Sequence, residues 1–329
     1  MSWTSTKVLV TGAGGFIGSS LVEALVREGA SVTAFLHYNA RGDPGLLRYA
    51  DPEVRRGVRQ YQGELRDPQA MRQAMQGAQI VFHLAALIGI PYSYAHPSDV
   101  IQTNVLGTLN VLSTARDLGV ERVIHTSSSE VYGTARYAPI DERHPLQGQS
   151  PYSASKIGAD KLAESFWLSY GLPVCTVRPF NTFGPRQSAR AVIPTIIVQA
   201  LTLDRIRLGA LAPLRDFSYV TDTVSGFLAA AASERMIGEV VNLGSGREIS
   251  VGDLAGLICR IVGRSPAIEA DEQRLRPQGS EVERLLADNR KARAIMAWEP
   301  QVTLEDGLAR TIDWIAAHSD LYRPDFYTV

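Results

Sequence analysis

The sequence predicts an α/β chain, a doubly wound parallel sheet followed by a smaller C-terminal α/β domain. Three observations carry that prediction. Short apolar runs alternate with helical patterns as far as about Arg178, the pattern of successive βαβ units. The first run, Lys7-Val8-Leu9-Val10-Thr11, opens directly into a glycine-rich turn and then a helix. From Pro179 onward the alternation loosens, and Pro, Gly and Arg become frequent. Residues 1–178 are therefore expected to form the sheet domain. Residues 179–329 are expected to form mainly a substrate-binding domain, with some chain crossing back to the sheet.

The glycine turn reads Gly12-Ala13-Gly14-Gly15-Phe16-Ile17-Gly18, and its helix runs to Gly29. Glycines permit the tight turn and let backbone N–H groups approach a pyrophosphate, while the helix N-terminus adds partial positive charge. A dinucleotide is the expected ligand, held by Gly12, Gly15, Phe16, Ile17 and Gly18, on a sheet of the Rossmann type. Ser31–Leu36 is the second strand. An acid usually ends it and holds the adenosine ribose. Here the residues are Leu36-His37-Tyr38-Asn39-Ala40-Arg41. Asn39 is a candidate for a ribose hydroxyl and Arg41 for a 2′-phosphate, which leaves NAD and NADP both open.

Arg59–Gln62 is the third strand and leads into Gly63-Glu64-Leu65-Arg66-Asp67. Ile80–Leu84 is the fourth, ending His83-Leu84-Ala85-Ala86, where small residues let a cofactor pass close to the backbone. Leu87–Tyr94 reads as an apolar loop walling a substrate pocket. A helix over Ser98–Leu118 carries Gly107 and Asn104, a polar group in a packed helix that needs a partner. Arg122–Thr126 is the fifth strand, followed by Ser127-Ser128-Ser129-Glu130-Val131-Tyr132-Gly133. Three serines and a Glu at the C-terminal end of a strand are typical site material.

The next helix starts at Ser150-Pro151-Tyr152-Ser153-Ala154-Ser155-Lys156. Ser150 is a good N-cap and Pro151 suits the first helical position. The helix reads on to about Tyr170 and stops at Gly171, with Pro173 beyond. Tyr152 and Lys156, four apart, share a face. An ammonium beside a phenol favours the phenolate, which makes Tyr152 a candidate general base. Pro173–Arg178 is the sixth strand.

In the second half, Phe180–Gln187 reads as a loop. Arg190–Leu203, Asp222–Ala232, Val251–Val262 and Leu304–Ala317 read as helices, and Ile206–Leu208, Phe217–Val220 and Val240–Leu243 as short strands. Arg186, Arg190, Arg215 and Arg276 fall in this half. Arginines presented by loops suit a diphosphate, because a planar guanidinium binds phosphate oxygens bidentately.

The bulk numbers narrow the function classes. The chain has 329 residues, is 45% hydrophobic and 20% charged, and carries a formal net charge of -1. That balance gives no global electrostatic case for nucleic acid or membrane binding, so any phosphate is held locally. No apolar run reaches the roughly 18 residues needed to span a membrane. The first seven residues lack a signal-peptide core. Cys175 and Cys259 read as buried thiols in a reducing, cytoplasmic setting. The six histidines have no metal-ligand spacing, and no metal is expected. His83 and His125 read as satisfied core histidines. There is no GxSxG elbow for a serine nucleophile.

Taken together, Gly12-x-x-Gly15-x-x-Gly18, Ser128, Tyr152-x-x-x-Lys156 and Arg178-Pro179-Phe180-Asn181 resemble the extended short-chain dehydrogenase/reductase (SDR) family. The resemblance covers nearly the whole chain. It implies that Gly63-Glu64-Leu65-Arg66-Asp67 is the Gly-Asp-Ile-Arg-Asp turn at the adenine, with Glu64 replacing the usual Asp and Leu65 beside it. It implies that Leu84, Ala85, Ala86 and Pro179 also border the cofactor, that Asn104 helps position the catalytic lysine, and that Asn181 faces the substrate. The stretches 145–160 and 180–194 look most like the NAD-dependent 4,6-dehydratases of the legionaminic-acid pathway type, which act on nucleotide-linked N-acetylglucosamine.

The chemistry so implied is an internal redox elimination on a nucleotide-diphosphate sugar. Tyr152 takes the 4-OH proton, Lys156 lowers the tyrosine pKa and binds the nicotinamide ribose, and Ser128 hydrogen-bonds the 4-oxygen. Glu130 removes the C5 proton and water leaves from C6. Many dehydratases place an Asp before this Glu. Here Ser129 stands there, which leaves the leaving-group acid open; Glu130 itself, carrying the C5 proton, is one candidate, with Ser129 then orienting or relaying. A UDP-glucuronate decarboxylase, a nucleotide-sugar 4-epimerase and a cofactor-sensing regulator on the same fold are the competing readings. A homodimer is expected from the resemblance.

Overall fold

The computed structural model describes residues 2–323; the last six residues of the expected second domain lie outside them. Seven parallel strands form the main sheet: β1 (Lys7–Thr11), β2 (Ser31–His37), β3 (Arg59–Gly63), β4 (Ile80–His83), β5 (Arg122–Thr126), β6 (Val174–Pro179) and β10 (Val240–Leu243). Their spatial order is β10-β6-β5-β4-β1-β2-β3. The order reverses between β1 and β4, which opens a crevice at the C-terminal ends of the strands. β10 comes from the second half and pairs with β6, Val240 opposite Thr176, so the chain does cross back.

β1 is buried on both faces, as its unbroken apolar run requires. Successive side chains point to opposite faces. Val8 and Val10 therefore join one core with Leu21, Leu25, Val224 and Phe227 from helices Phe16–Arg27 and Val220–Ala232. Leu9 joins the other with Met71, Val111 and Phe166 from helices Pro68–Met75, Gly107–Leu118 and Pro151–Tyr170.

The second half adds β7 (Asn181–Phe183), β9 (Leu214–Tyr219), β11 (Glu248–Ser250) and β13 (Arg284–Leu285) as a small mixed sheet. β8 (Arg205–Leu208) and β12 (Ala267–Ala270) form a separate parallel pair. The segment before Tyr152 also belongs with this half. Ile140 bridges Ala287, and Val131, Tyr132 and Ile140 share a core with Phe180, Val282 and Leu285.

Three local expectations change. The Phe180–Gln187 loop contains β7, which pairs with β9; three residues are too few to show a period. Leu87–Tyr94 is not all loop, because Ile90–Ala95 is helical, with Pro91 in its first turn. The helix over 98–118 is broken by a π-turn at Gln102–Leu106, centred on buried Asn104.

Candidate active site

A cavity of about 860 Å³ runs from the glycine turn to the start of helix Pro151–Tyr170 and on into the second half. At one end, Gly12 has φ +70 and a Cβ there would lie 2.8 Å from the Ala85 nitrogen. A Cβ on Gly18 would overlap the Gly12 carbonyl oxygen. Gly15 caps the helix without a side chain, leaving first-turn N–H groups free. This cradle fits the pyrophosphate of a dinucleotide. Phe16, Ile17, Leu84, Ala85, Ala86 and Pro179 continue the wall, and Glu64 and Leu65 close its far end with His37.

Four expected cofactor residues, Asn39, Arg41, Asn104 and Lys156, stand off this wall. The Asn39 amide is consumed locally: Oδ1 accepts from the Arg41 and Asp43 nitrogens, and Nδ2 donates to the Asp43 carbonyl. The turn so formed carries Arg41 outward, exposed. Asn104 is also set back. Its Nδ2 donates to the Leu87 carbonyl and the Ser155 hydroxyl, and its Oδ1 accepts from Leu87 N. It braces the loop that walls the cavity and does not touch Lys156.

Helix Pro151–Tyr170 begins as its sequence implies. Ser150 and Ser153 cap each other reciprocally, Ser153 N donating to Ser150 Oγ at 3.1 Å and Ser150 N to Ser153 Oγ at 2.9 Å. Tyr152 faces the cavity together with Ser128, Ser129 and Glu130. Ser128 Oγ accepts from Glu130 N at 3.2 Å, capping the short 3₁₀ turn that presents the carboxylate.

Lys156 is buried and off the cavity wall. It lies behind Tyr152, and its ammonium donates to the Thr126 carbonyl at 2.6 Å. Burial lowers its pKa to about 8, opposed by the charge of Asp160. Burial raises Tyr152 to about 12; a Ser128 hydrogen bond opposes this, and the Glu130 and Asp160 charges add to it. In the chain by itself, burial thus favours the protonated phenol of Tyr152.

Asp160, one turn beyond Lys156, anchors a buried network that sequence reasoning missed. It accepts from Ser127 Oγ at 2.9 Å, from His125 Nε2 at 3.1 Å and from Arg178 Nη2 at 2.9 Å. Burial alone would raise its pKa, but the His125 hydrogen bond and the Arg178 charge hold it at about 2. Burial lowers the pKa of His125, so a neutral ring donates from Nε2. Arg178 Nη1 donates to the Tyr132 hydroxyl at 2.9 Å, which donates to Asn242 at 2.7 Å. One carboxylate thereby ties helix Pro151–Tyr170, the serine loop, β5 and β6 together. His83 is satisfied as expected, between Thr11 and Thr108.

Of the expected substrate residues, Asn181, Arg190, Arg215 and Arg276 line the cavity's second-half wall. Arg215 pairs with Glu281 at 3.1 Å, and Arg276 lies 3.9 Å from Glu281 and 4.0 Å from Glu130. Arg276 Nη1 is buried without a hydrogen-bond partner, an unused donor of the kind an anionic ligand satisfies. Glu281, on the same wall, carried no signal in its neighbours. Arg186 is the exception. It turns away to Glu23 at 2.8 Å and the Tyr49 carbonyl at 3.0 Å, and pins its loop to the first helix. Among the described residues no group of His, Cys, Asp and Glu is placed to hold a metal, and no helix is long and apolar enough to cross a membrane.

Known proteins match nearly end to end. A dTDP-glucose 4,6-dehydratase of Streptomyces griseus is 34% identical over 326 residues, 97% of each chain. A UDP-glucuronate 4-epimerase of Thermodesulfobacterium geofontis is 31% identical, covering 96% of this chain and 98% of its own. The structure of DesIV, a dTDP-glucose 4,6-dehydratase from Streptomyces venezuelae solved with NAD bound, superposes with a TM-score of 0.87 at 30% identity, over 97% of this chain and 99% of that one. Residues 9–311 match the family model described as GDP-mannose 4,6 dehydratase, and the chain belongs to this NAD-dependent epimerase/dehydratase branch of the extended SDR family.

Proposed function

We propose that the protein is a nucleotide-sugar 4,6-dehydratase of the legionaminic-acid pathway type, acting on an NDP-N-acetylglucosamine or related NDP-hexose. The observation that carries this reading is Glu130, a carboxylate on the cavity wall beside Ser128 and Tyr152. Beyond the hydride acceptor that NAD would supply, oxidation at C4 needs only the tyrosine and serine. A carboxylate at the same carbon framework adds a base for the C5 proton.

The Gly12, Gly15 and Gly18 cradle would hold NAD, which would supply a hydride acceptor for C4, the hydride for C6, and a positive charge beside the tyrosine. Tyr152 takes the 4-hydroxyl proton, with Ser128 hydrogen-bonded to the developing carbonyl oxygen. The ketone acidifies C5–H, and Glu130 removes that proton. The C6–O bond breaks as Glu130 returns a proton to the departing hydroxyl, releasing water. Glu130, reprotonated from solvent, then adds a proton at C5 as C6 is reduced, and Tyr152 releases the proton it took from the 4-hydroxyl, so the protons balance and the product is the 4-keto-6-deoxy sugar. Arg215 and Arg276 hold the diphosphate in this reading, Arg190 and Asn181 flank it, and two subunits associate as a homodimer.

The test is incubation with UDP- and GDP-linked glucose, N-acetylglucosamine, glucuronate and mannose, read by mass spectrometry. Loss of one water supports the dehydratase. Loss of carbon dioxide from the uronate identifies a decarboxylase, and an isomeric product an epimerase. No turnover of any sugar, with NAD bound, identifies a cofactor sensor.

A further inference from the structure

A nucleotide sugar divides the cavity wall. Its C1 carries the diphosphate and belongs with Arg215 and Arg276, while C4 to C6 belong with Ser128, Glu130 and Tyr152. The C2 and C3 edge of the ring is left for the remaining wall. The sheet domain supplies Leu87-Ile88-Gly89-Ile90-Pro91 there, and the second half supplies Arg190. The five-residue stretch carries no side-chain hydrogen-bonding group. It is held at both ends: Asn104 bonds Leu87 N at 2.8 Å and the Leu87 carbonyl at 2.9 Å, and the Tyr92 hydroxyl donates to Asp99 at 2.8 Å. Ile88 nevertheless stays 62% exposed on the cavity wall, apolar surface that a ligand can cover.

The Arg190 guanidinium lies against the same stretch, since a Cβ on Gly89 would stand 3.4 Å from its Nη1. Other amide donors of this wall are committed. Asn181 Nδ2 donates to the Asp216 carbonyl at 3.1 Å, and Gln187 Nε2 to the Thr182 carbonyl at 2.8 Å. Arg190 keeps its donors. Its Nε donates to Ser188 Oγ at 3.4 Å, and among the described residues its terminal nitrogens have no hydrogen-bond or ion-pair partner.

We propose that Arg190 and Ile88 form a subsite for an acylamino group at C2 of the sugar, and that this pair selects an N-acetylated hexose over its 2-hydroxy counterpart. An acetamido carbonyl only accepts and a guanidinium only donates, so the two are complementary. The acetyl methyl covers Ile88, which a 2-hydroxyl leaves in water. An unacylated 2-amine, once protonated, meets Arg190 with like charge. This inference rests on the nucleotide-sugar reading and is independent of the elimination at Glu130.

The test is calorimetric binding of UDP- and GDP-linked N-acetylglucosamine and glucose, with UDP and GDP alone as baselines. The protein is the NAD-loaded Tyr152→Phe variant, so that binding is read without turnover. On the nucleotide that binds, the acetylated sugar should bind about tenfold more tightly than its glucose counterpart, the scale of one charge-assisted hydrogen bond. Adding Arg190→Ala should bring the two sugars to within about threefold of each other and leave the nucleoside diphosphate unchanged. Adding Ile88→Ser should weaken the acetylated sugar alone. Equal binding of the two sugars, or an unchanged ratio in an Arg190→Ala protein with normal circular dichroism, overturns the proposal. So does an equal loss for the nucleoside diphosphate alone, which makes Arg190 a diphosphate ligand. An isomeric product from the acetylated sugar with wild-type protein removes the dehydratase reading and leaves the subsite standing, whereas binding of no nucleotide sugar removes both.

Discussion

Asp160 stands one helical turn beyond Lys156, and its negative charge is the influence that opposes the lowering of the Lys156 pKa by burial. Lys156 sits near 8, where a small change in its surroundings alters its protonation at working pH. His125 and His83 face the same space, but burial lowers both pKa values and keeps them neutral. Asp160 therefore holds the charge state of a residue it does not touch.

Asp160→Asn should move the alkaline limb of the kcat/KM profile to lower pH. The sign follows directly: removing the anion leaves burial unopposed, so Lys156 loses its proton earlier. A shift of about one unit is the scale of one nearby charge. Asp160→Glu should recover the wild-type limb. An unmoved limb in a folded Asp160→Asn protein would leave the network a purely structural role.

The same carboxylate predicts an acid-stability effect of opposite logic. Its folded pKa, about 2, lies below the ordinary 3.8. The stability it contributes is therefore present above about pH 4 and lost as pH falls through about 2, with a scale of about 2 kcal/mol. The stability gap between wild type and Asp160→Asn should narrow between pH 4 and 2 in denaturant titrations. A gap that stays constant over that range contradicts the assignment.

Glu130→Gln should keep NAD binding and C4 oxidation but lose elimination by about 10²- to 10⁴-fold, the range of one general base. In deuterated water the variant should incorporate no deuterium at C5 of substrate. Tyr152→Phe should instead stop hydride transfer from C4, so no reduced cofactor forms. Full turnover by Glu130→Gln would remove that residue from the chemistry.

Much of this site was legible in the chain because its signals are local. The β1–glycine turn–helix run and the Ser150 cap lie within a few residues of the atoms they position. The failures are long-range or depend on side-chain direction. Tyr152 and Lys156 share a helix face, but only the fold reveals that the Thr126 carbonyl captures the ammonium. Asn39 was a reasonable ribose ligand until its own turn claimed the amide. Asp160 draws its partners from two other strands and a loop, and nothing in its own stretch announces them.

Arg186 and Arg276 should separate in the same way under mutation, although the sequence assigned both to the diphosphate. Arg186 is 163 positions from Glu23, yet their side chains meet at 2.8 Å with little exposure of either. Truncating it leaves Glu23 without this partner and should cost about 2 kcal/mol, below the 3–5 typical of a fully buried pair because some water reaches it. Arg276 faces the cavity with an unpartnered donor, so its loss removes a ligand contact and little folding energy. Arg186→Ala should therefore lower the melting temperature with modest change in KM for the nucleotide sugar. Arg276→Ala should raise KM about tenfold or more, as expected for a charged hydrogen bond to phosphate, with a near-native melting temperature. The reverse pattern would put Arg186 back among the substrate ligands.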